Sequence, residues 1–169
     1  MTPSPTCIAL AKHFEGCGQH IAGGLLRSYP DPGTGGAPWT IGYGSTGPDI
    51  HPGTEWTQAE AEARFAHDLD AFAAKVQSLL GGAPATQGQF DAMVDFAYNL
   101  GIGNLQSSTL LRKHKAGDYP GAETEFAKWN KAAGRVLSGL SKRRAVEAAI
   151  YAGASDLNHV LQQVEGSAS

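Results

Sequence analysis

The 169-residue sequence predicts an α+β fold, in which a small N-terminal β-containing lobe is joined by one long helix to a mainly helical lobe. Two observations predict this class. The stretch 14–46 is interrupted by glycine and proline and contains the strand-like run TIGY at 40–43. After residue 57, apolar residues instead recur at helical spacing between glycine-rich breaks. We expect a small β lobe over about 16–56, one domain over 1–153 and a C-terminal tail over 154–169.

The first element is a short helix that we expect Thr6 to cap and Gly16 to end, so that Glu15 lies in its last turn. Ile8, Ala11 and Glu15 recur at spacings that bring them to one face, which is the face that the helix buries. Partial burial and the helix dipole both disfavour a negative charge at this place. A carboxyl group that is kept neutral can donate a proton, so Glu15 is a candidate general acid. The alternative is an exposed glutamate at a frayed helix end.

The following stretch predicts a small irregular hairpin or a three-stranded sheet, with turns at 30–33 and 34–36. Asp31 stands between two prolines in one of these turns, where contact with water favours the ionised carboxylate. Two carboxyl groups, one in apolar and one in polar surroundings, are the usual arrangement in glycosidases. Taken alone, however, Asp31 is explained more simply as a turn residue.

Three motifs stand in this part of the chain: FEG at 14–16, YPD at 29–31, and WTIGYG at 39–44 followed by Thr46. Together they resemble the catalytic region of phage-type lysozymes, the endolysin family that includes the T4 and lambdoid-phage lysozymes. The resemblance implies a lysozyme-like fold and no metal or cofactor. The family's catalytic trio falls on Glu15, Asp31 and Thr40.

The same resemblance implies the reaction. It would be hydrolysis, with inversion, of the β-1,4 bond between N-acetylmuramic acid and N-acetylglucosamine in bacterial peptidoglycan. The substrate is then a peptidoglycan glycan strand, and the outcome is lysis of the host cell. The segments 17–24 and 32–38 are longer than the corresponding family segments.

Three further residues are weaker candidates for substrate binding or for support of the site. Tyr29 and Tyr43 belong to the aromatic and hydroxyl-rich part of the motifs. Arg143 lies on the last strong helix, from which the family supplies an arginine that pairs with the catalytic glutamate, and Arg144 is the reserve. Without the resemblance, this arginine pair would be interpreted as a solvated basic patch.

The rest of the chain predicts a series of helices. Thr57 and Glu60 form a capping box at the start of the long connecting helix, which ends at Gly81. A second box begins at Thr86. We expect further helices over 109–116, from Pro120 to Trp129 and over 139–152, loops over 100–104 and 130–134, and a short helix after Leu157 before a disordered end at 166–169.

The charge and the hydropathy of the sequence argue against nucleic-acid binding and against a membrane span. The formal net charge of −3 provides no basic face for nucleic acid. No segment has the length and apolarity of a signal peptide or a membrane span. We therefore expect a monomer without stable membrane insertion that stays in the host cytoplasm until something else releases it to the cell wall.

The cysteines and histidines show no metal-binding motif. Cys7 and Cys17 are expected to be free thiols, since two cysteines do not make a disulfide framework. Two alternatives to a lysozyme stay open. A lytic transglycosylase can use a single acid, and a non-catalytic module could bind the cell wall on the same fold.

Overall fold

The computed structural model describes residues 1–31 and 35–166, and it confirms the α+β class. The helices are α1 (Pro5–Glu15), α2 (Gln58–Leu80), α3 (Gln87–Leu100), α4 (Ile102–Ser107), α5 (Thr109–Lys115), α6 (Tyr119–Glu125), α7 (Ser138–Tyr151) and α8 (Leu157–Gly166). The short strands are β1 (Gln19–His20), β2 (Leu26–Arg27), β3 (Tyr29–Pro30), β4 (Trp39–Ile41), β5 (Ser45–Thr46), β6 (Glu55–Trp56), β7 (Lys131–Ala132) and β8 (Arg135–Val136). Single turns of 3₁₀-helix lie at Ala22–Gly24 and Phe126–Lys128.

The chain divides into two units, which are Met1–Ala11 together with Ala71–Ser169, and Lys12–Asp70. It passes from one unit to the other within α1 and again within α2. In the described parts of the chain, no helix combines the length and the apolar character that a membrane span requires.

The unit Lys12–Asp70 contains two antiparallel three-stranded sheets, in the orders β1-β2-β6 and β3-β4-β5. The second is the three-stranded sheet that the sequence predicts, although β4 ends at Ile41 and residues 42–44 form a turn. The first sheet was not predicted, because strands of two residues show no alternation. Buried Leu26, Ile41 and Phe65 belong to the core of this unit.

The other unit is mainly helical and has α3 packed against α7. Its core contains an uninterrupted buried run over 89–97 of α3. The predicted capping box at Thr86 is confirmed, with Thr86 Oγ1 accepting from the backbone N–H of Gln89. Ser108 caps α5, because its side chain accepts from the backbone N–H of Leu111.

Three predictions about the elements are wrong. Ser4, not Thr6, caps α1, because Ser4 Oγ accepts from the backbone N–H groups of Thr6 and Cys7. Most of the predicted loop 100–104 belongs to α4, a helix of six residues with a glycine inside it, which gives little periodicity. The predicted loop 130–134 is part of the β7–β8 hairpin.

The capping box of α2 is confirmed, since Thr57 N donates to Glu60 Oε2 at 2.7 Å and Glu60 N donates to Thr57 Oγ1 at 3.2 Å. The short helix after residue 157 is confirmed as α8. Two of the predictions extend beyond the described residues. These are the turns, at residues 32–34, and the disordered end, at residues 167–169.

Candidate active site

Glu15 is the last residue of α1, as predicted. Gly16 follows with φ +67°, and its N–H donates to Lys12 O at 3.1 Å, so the glycine ends the helix in the left-handed region. Glu15 is partly exposed. Its side chain lines an open pocket of about 340 Å³, whose other lining residues are Gly16, Cys17, Gly18, Gln19 and Tyr29.

Asp31 and Thr40 lie on the same face of the β3-β4-β5 sheet. Tyr29 is the Cα partner of Thr40, so their side chains share a face, and Asp31 returns to that face two residues after Tyr29. Directly after β3, Asp31 N donates to Pro38 O at 3.1 Å and to Gly36 O at 3.0 Å, so Asp31 lies opposite Pro38. Asp31 is therefore a diagonal neighbour of Thr40, a relationship that puts Cα atoms about 7–8 Å apart.

The opposite face of this sheet is turned to the interior of the unit. Ile41 and Ser45 are Cα partners, and both are buried. Ser45 Oγ donates to Asp68 Oδ2 on α2 at 3.1 Å. Because this face is fixed inward, the face that carries Asp31 and Thr40 is the one that water can reach, and both residues are partly exposed.

The turn between β4 and β5 brings Glu15 to the same sheet. Gly44 has φ +83°, and a Cβ on it would lie 3.1 Å from Glu15 Oε2. Gly18, in the turn that follows α1, donates its N–H to Gly42 O at 3.0 Å. A Cβ on Gly18 would lie 3.2 Å from Gly42 N. The backbones are thus in close contact, and the glutamate carboxylate lies beside the hairpin that carries Thr40.

The contacts that these glycines make at the candidate site were not predicted from the sequence. Gly42 was expected to lie in the strand-like run 40–43, and Gly44 was noted only as part of the WTIGYG motif. A signal was present, since two glycines flank Tyr43 directly after a strand. The local sequence did not indicate that Gly44 contacts Glu15, because Glu15 is 29 positions earlier in the chain.

Tyr43 supports this arrangement from inside the unit. Its side chain is only 7% exposed, and its ring centroid lies 5.1 Å from that of Phe65. Gln58 Nε2 donates to the Tyr43 hydroxyl at 2.8 Å. Lys12 Nζ lies 5.1 Å from the ring centroid and forms an ion pair with Glu62 at 3.2 Å. Of the two roles predicted for Tyr43, these contacts favour support over substrate binding.

Tyr29 is electrostatically connected to Glu15. Burial raises the pKa of the Tyr29 phenol, and the negative charge of Glu15 raises it further. Both side chains line the same pocket. Tyr29 is thus close enough to the Glu15 carboxylate to report on its charge, and it is partly exposed to anything that enters the pocket.

The interpretation of Arg143 and Arg144 as a solvated basic patch is wrong, because they are only 3% and 1% exposed. Arg143 donates from Nε and Nη2 to the two carboxylate oxygens of Asp95 at 2.9 and 2.8 Å. Arg144 Nη2 donates to Asn99 Oδ1 at 2.9 Å and to Glu147 Oε1 at 2.6 Å. The predicted pairing of Arg143 with Glu15 stays a prediction.

Glu147 completes this buried cluster of charges and is fully buried. Burial raises the pKa of its carboxyl group well above the ordinary value, although Arg144 acts in the opposite direction. The two arginines and their partners therefore form a network inside the helical unit, in which each charge depends on the others.

Both cysteines are free thiols, as predicted. Cys7 is buried, and this burial raises the pKa of its thiol well above the ordinary value. Cys17 Sγ lies 3.5 Å from Gln58 Oε1, beside the pocket. Across residues 1–31 and 35–166, no group of three or more His, Cys, Asp or Glu is arranged to hold a metal ion.

Comparison with known proteins identifies similar sequences and folds. The profile of the phage lysozyme family matches residues 12–147, a span that contains Glu15, Asp31 and Thr40. The endolysin of Bacillus phage B103 is 46% identical over 113 residues, which cover 67% of this chain and 43% of the relative. The endolysin of Bacillus phage PZA is 40% identical over 151 residues, which cover 89% and 55%.

The chain thus spans about half the length of these two relatives. Among solved structures, an endolysin from Escherichia coli O157:H7 phage FAHEc1 matches with a TM-score of 0.77 and 33% sequence identity. That match covers 90% of this chain and 94% of the other.

Proposed function

This chain belongs to the phage lysozyme family, and we propose that it hydrolyses the β-1,4 bond between N-acetylmuramic acid and N-acetylglucosamine in bacterial peptidoglycan. The observation that carries the proposal is the close approach of Glu15 to the hairpin of Thr40, inside the span that the family profile matches. It supports one reaction centre built from Glu15, Asp31 and Thr40.

Glu15 is the general acid that protonates the leaving glycosidic oxygen. It ends α1, where the dipole of the helix disfavours a negative charge, and it lines the pocket. Proton donation to the leaving group is the step that both glycosidase mechanisms share. Tyr29, on the wall of the same pocket, contacts the sugar beside this bond.

Asp31 and Thr40 hold the water that attacks the anomeric carbon. A bound water needs at least two polar partners, and the shared face of the sheet offers a carboxylate and a hydroxyl on diagonal positions. Asp31 accepts the proton of this water, and its negative charge also stabilises the oxocarbenium-like transition state.

The expected stereochemical outcome is inversion. A hydroxyl beside the carboxylate is useful for holding a water, but it does little for a carboxylate that attacks the sugar itself. Room for that water requires carboxyl groups about 6.5–9.5 Å apart, whereas a covalent intermediate requires about 5–5.5 Å. The first product is then the α-anomer of a β-linked substrate.

The biological setting follows from this activity. The enzyme is an endolysin that acts as a monomer on the cell wall, after release from the host cytoplasm. Residues 1–153 carry the activity, and 154–169 form an accessory C-terminal segment whose helix α8 packs on α7.

Digestion of purified peptidoglycan tests the proposal. New reducing ends are expected with the wild type and not with Glu15→Gln. ¹H NMR of the first-formed reducing end, recorded before mutarotation, is expected to show the α-anomer. Anhydro-sugar products would identify a lytic transglycosylase, and sedimentation with the wall without any product would identify a binding module. A β-anomer as the first product would make Asp31 the nucleophile.

A further inference from the structure

The β7–β8 hairpin exposes apolar side chains that the proposed reaction does not use. Among the described residues, the large hydrophobic side chains that are exposed are Met1, Val136 and Leu137. Val136 is 59% and Leu137 44% exposed, and all residues over 131–137 are exposed. A single exposed apolar residue needs no explanation, but two in succession on one hairpin provide apolar side chains that a partner can contact.

The same part of the chain is strongly basic. Residues 126–146 contain six of the 13 lysines and arginines and no aspartate or glutamate, although the whole chain has a net charge of −3. A concentration of one sign in a protein of the opposite net charge is a local feature that a partner can recognise.

Half of these six cations are neutralised within the helical unit. Arg143 and Arg144 are buried in the cluster with Asp95 and Glu147. Lys128 pairs with a buried glutamate at 2.9 Å. The remaining three, which form no ion pair with the described residues, are Lys131, Arg135 and Lys142.

The register of the hairpin places a cation next to an apolar side chain on each face. Lys131 and Val136 are Cα partners and share one face. Arg135 is on the other face, and Leu137 returns to that face two residues later. The pairing extends to Leu137, whose N–H donates to Asn130 O at 3.0 Å.

We propose that this basic hairpin, residues 131–137, binds peripherally to a membrane surface of anionic phospholipids. Lysine and arginine interact with the negative headgroups, while Val136 and Leu137 enter the boundary between headgroups and acyl chains. The exposed apolar pair favours this partner over a soluble polyanion, which would be recognised by the cations alone. The inference does not depend on the proposed hydrolysis.

The expected binding is weak, reversible and sensitive to salt. Each basic side chain near an anionic bilayer strengthens partitioning roughly fivefold. Replacement of Lys131 and Arg135 should therefore weaken it about 25-fold, and added salt should weaken it in the wild type because the charges are exposed.

Co-sedimentation of the full chain with vesicles tests the proposal. Vesicles of phosphatidylcholine alone are compared with vesicles that contain about one-third phosphatidylglycerol, at low and at roughly 0.15 M salt. Binding is expected to the anionic vesicles only. The double variant Lys131→Gln/Arg135→Gln should lose about 25-fold in partitioning, and Val136→Ser/Leu137→Ser should also bind more weakly.

The matched control is Lys75→Gln/Lys115→Gln, which removes two exposed lysines from other helices of the same unit and should bind like the wild type. Thermal melts verify that each variant is folded, which is expected because the altered side chains are exposed. Equal loss in the control and the hairpin variant would overturn the proposal, and so would wild-type binding to soluble polyphosphate without binding to vesicles.

Discussion

Oε2 of Glu15 lies 3.1 Å from the point that a Cβ on Gly44 would occupy. The position of the candidate acid is therefore fixed against a backbone that bears no side chain. A neighbouring hydrogen bond holds the two turns together. Gly18 N donates to Gly42 O, and these two atoms are 3.0 Å apart.

Gly44→Ala is expected to remove most of the activity. The new methyl group would displace the Glu15 carboxylate, and alanine at φ +83° adds roughly 1–3 kcal/mol of backbone strain. Gly53→Ala is the matched control, because Gly53 has φ +81° and nothing within 4 Å of its Cβ position. Both variants should melt earlier, but only Gly44→Ala should have a lower kcat. Equal kcat values would refute the steric argument.

Glu15→Gln should abolish lysis while the melting temperature stays equal or rises slightly, because a carboxylate at a helix C-terminus is locally unfavourable. It should also lower the pKa of Tyr29, because the Glu15 charge is one of the causes that raise it. NMR titration of the tyrosine rings measures this shift. Glu62→Gln removes an exposed carboxylate of the same unit and serves as the control. Retention of more than a few per cent of activity by Glu15→Gln would exclude Glu15 as the acid.

Asp31→Asn should lower kcat by roughly 10²–10⁴-fold with little change in stability, since general base catalysis contributes about that much. Thr40→Val should also lower kcat strongly, because the water loses its second partner. Asp49→Asn makes the same charge change at an exposed carboxylate of the same unit and should stay active. Full activity of Asp31→Asn would instead support the transglycosylase.

Asp95→Asn should be among the most destabilising single changes. It leaves Arg143 buried at 3% exposure without its carboxylate, which costs about 3–5 kcal/mol in comparable buried pairs. Removal of an exposed pair by Arg27→Gln should cost less than about 1 kcal/mol. Urea unfolding of both variants measures the difference. A loss below 1 kcal/mol for Asp95→Asn would mean that the buried cluster readjusts.

His114 should make the protein less stable in mild acid. It is buried, and burial lowers its pKa. An unfolded histidine titrates near pH 6.5, so this stability is complete above about pH 6.5 and is lost as the pH falls toward the lower folded pKa. His114→Asn should flatten the dependence between about pH 7 and 5, although it weakens the contact of Nδ1 with the Tyr151 hydroxyl at 2.6 Å. His67→Asn, at a 79% exposed side chain, should leave the dependence unchanged.

The sequence predicted those features that depend on neighbours along the chain. The starts of α2 and α3 were predicted because Thr57 with Glu60, and Thr86 with Gln89, are complete capping boxes within four residues. Glu15 was placed correctly at the end of α1 because the stop signal is the next residue.

Features that depend on distant contacts could not be predicted in this way. The β1-β2-β6 sheet pairs Leu26 with Trp56, and no local sequence pattern indicates that such short strands pair. The burial of Arg143 depends on Asp95, which is 48 positions away. When that partner is not known, two adjacent arginines on a helix are expected to be exposed to solvent.

The glycines of this protein are consequently not equivalent for engineering. Replacement of glycine by alanine is a common route to greater thermal stability. Gly103 and Gly139 are suitable positions, because both lie in helices and have nothing within 4 Å of the Cβ position. The replacement is unfavourable at Gly18 and Gly44, where an added methyl group would meet backbone atoms of Gly42 or the carboxylate of Glu15. A stabilisation programme that replaced all glycines alike would therefore lose activity at Gly44 and would add backbone strain there as well.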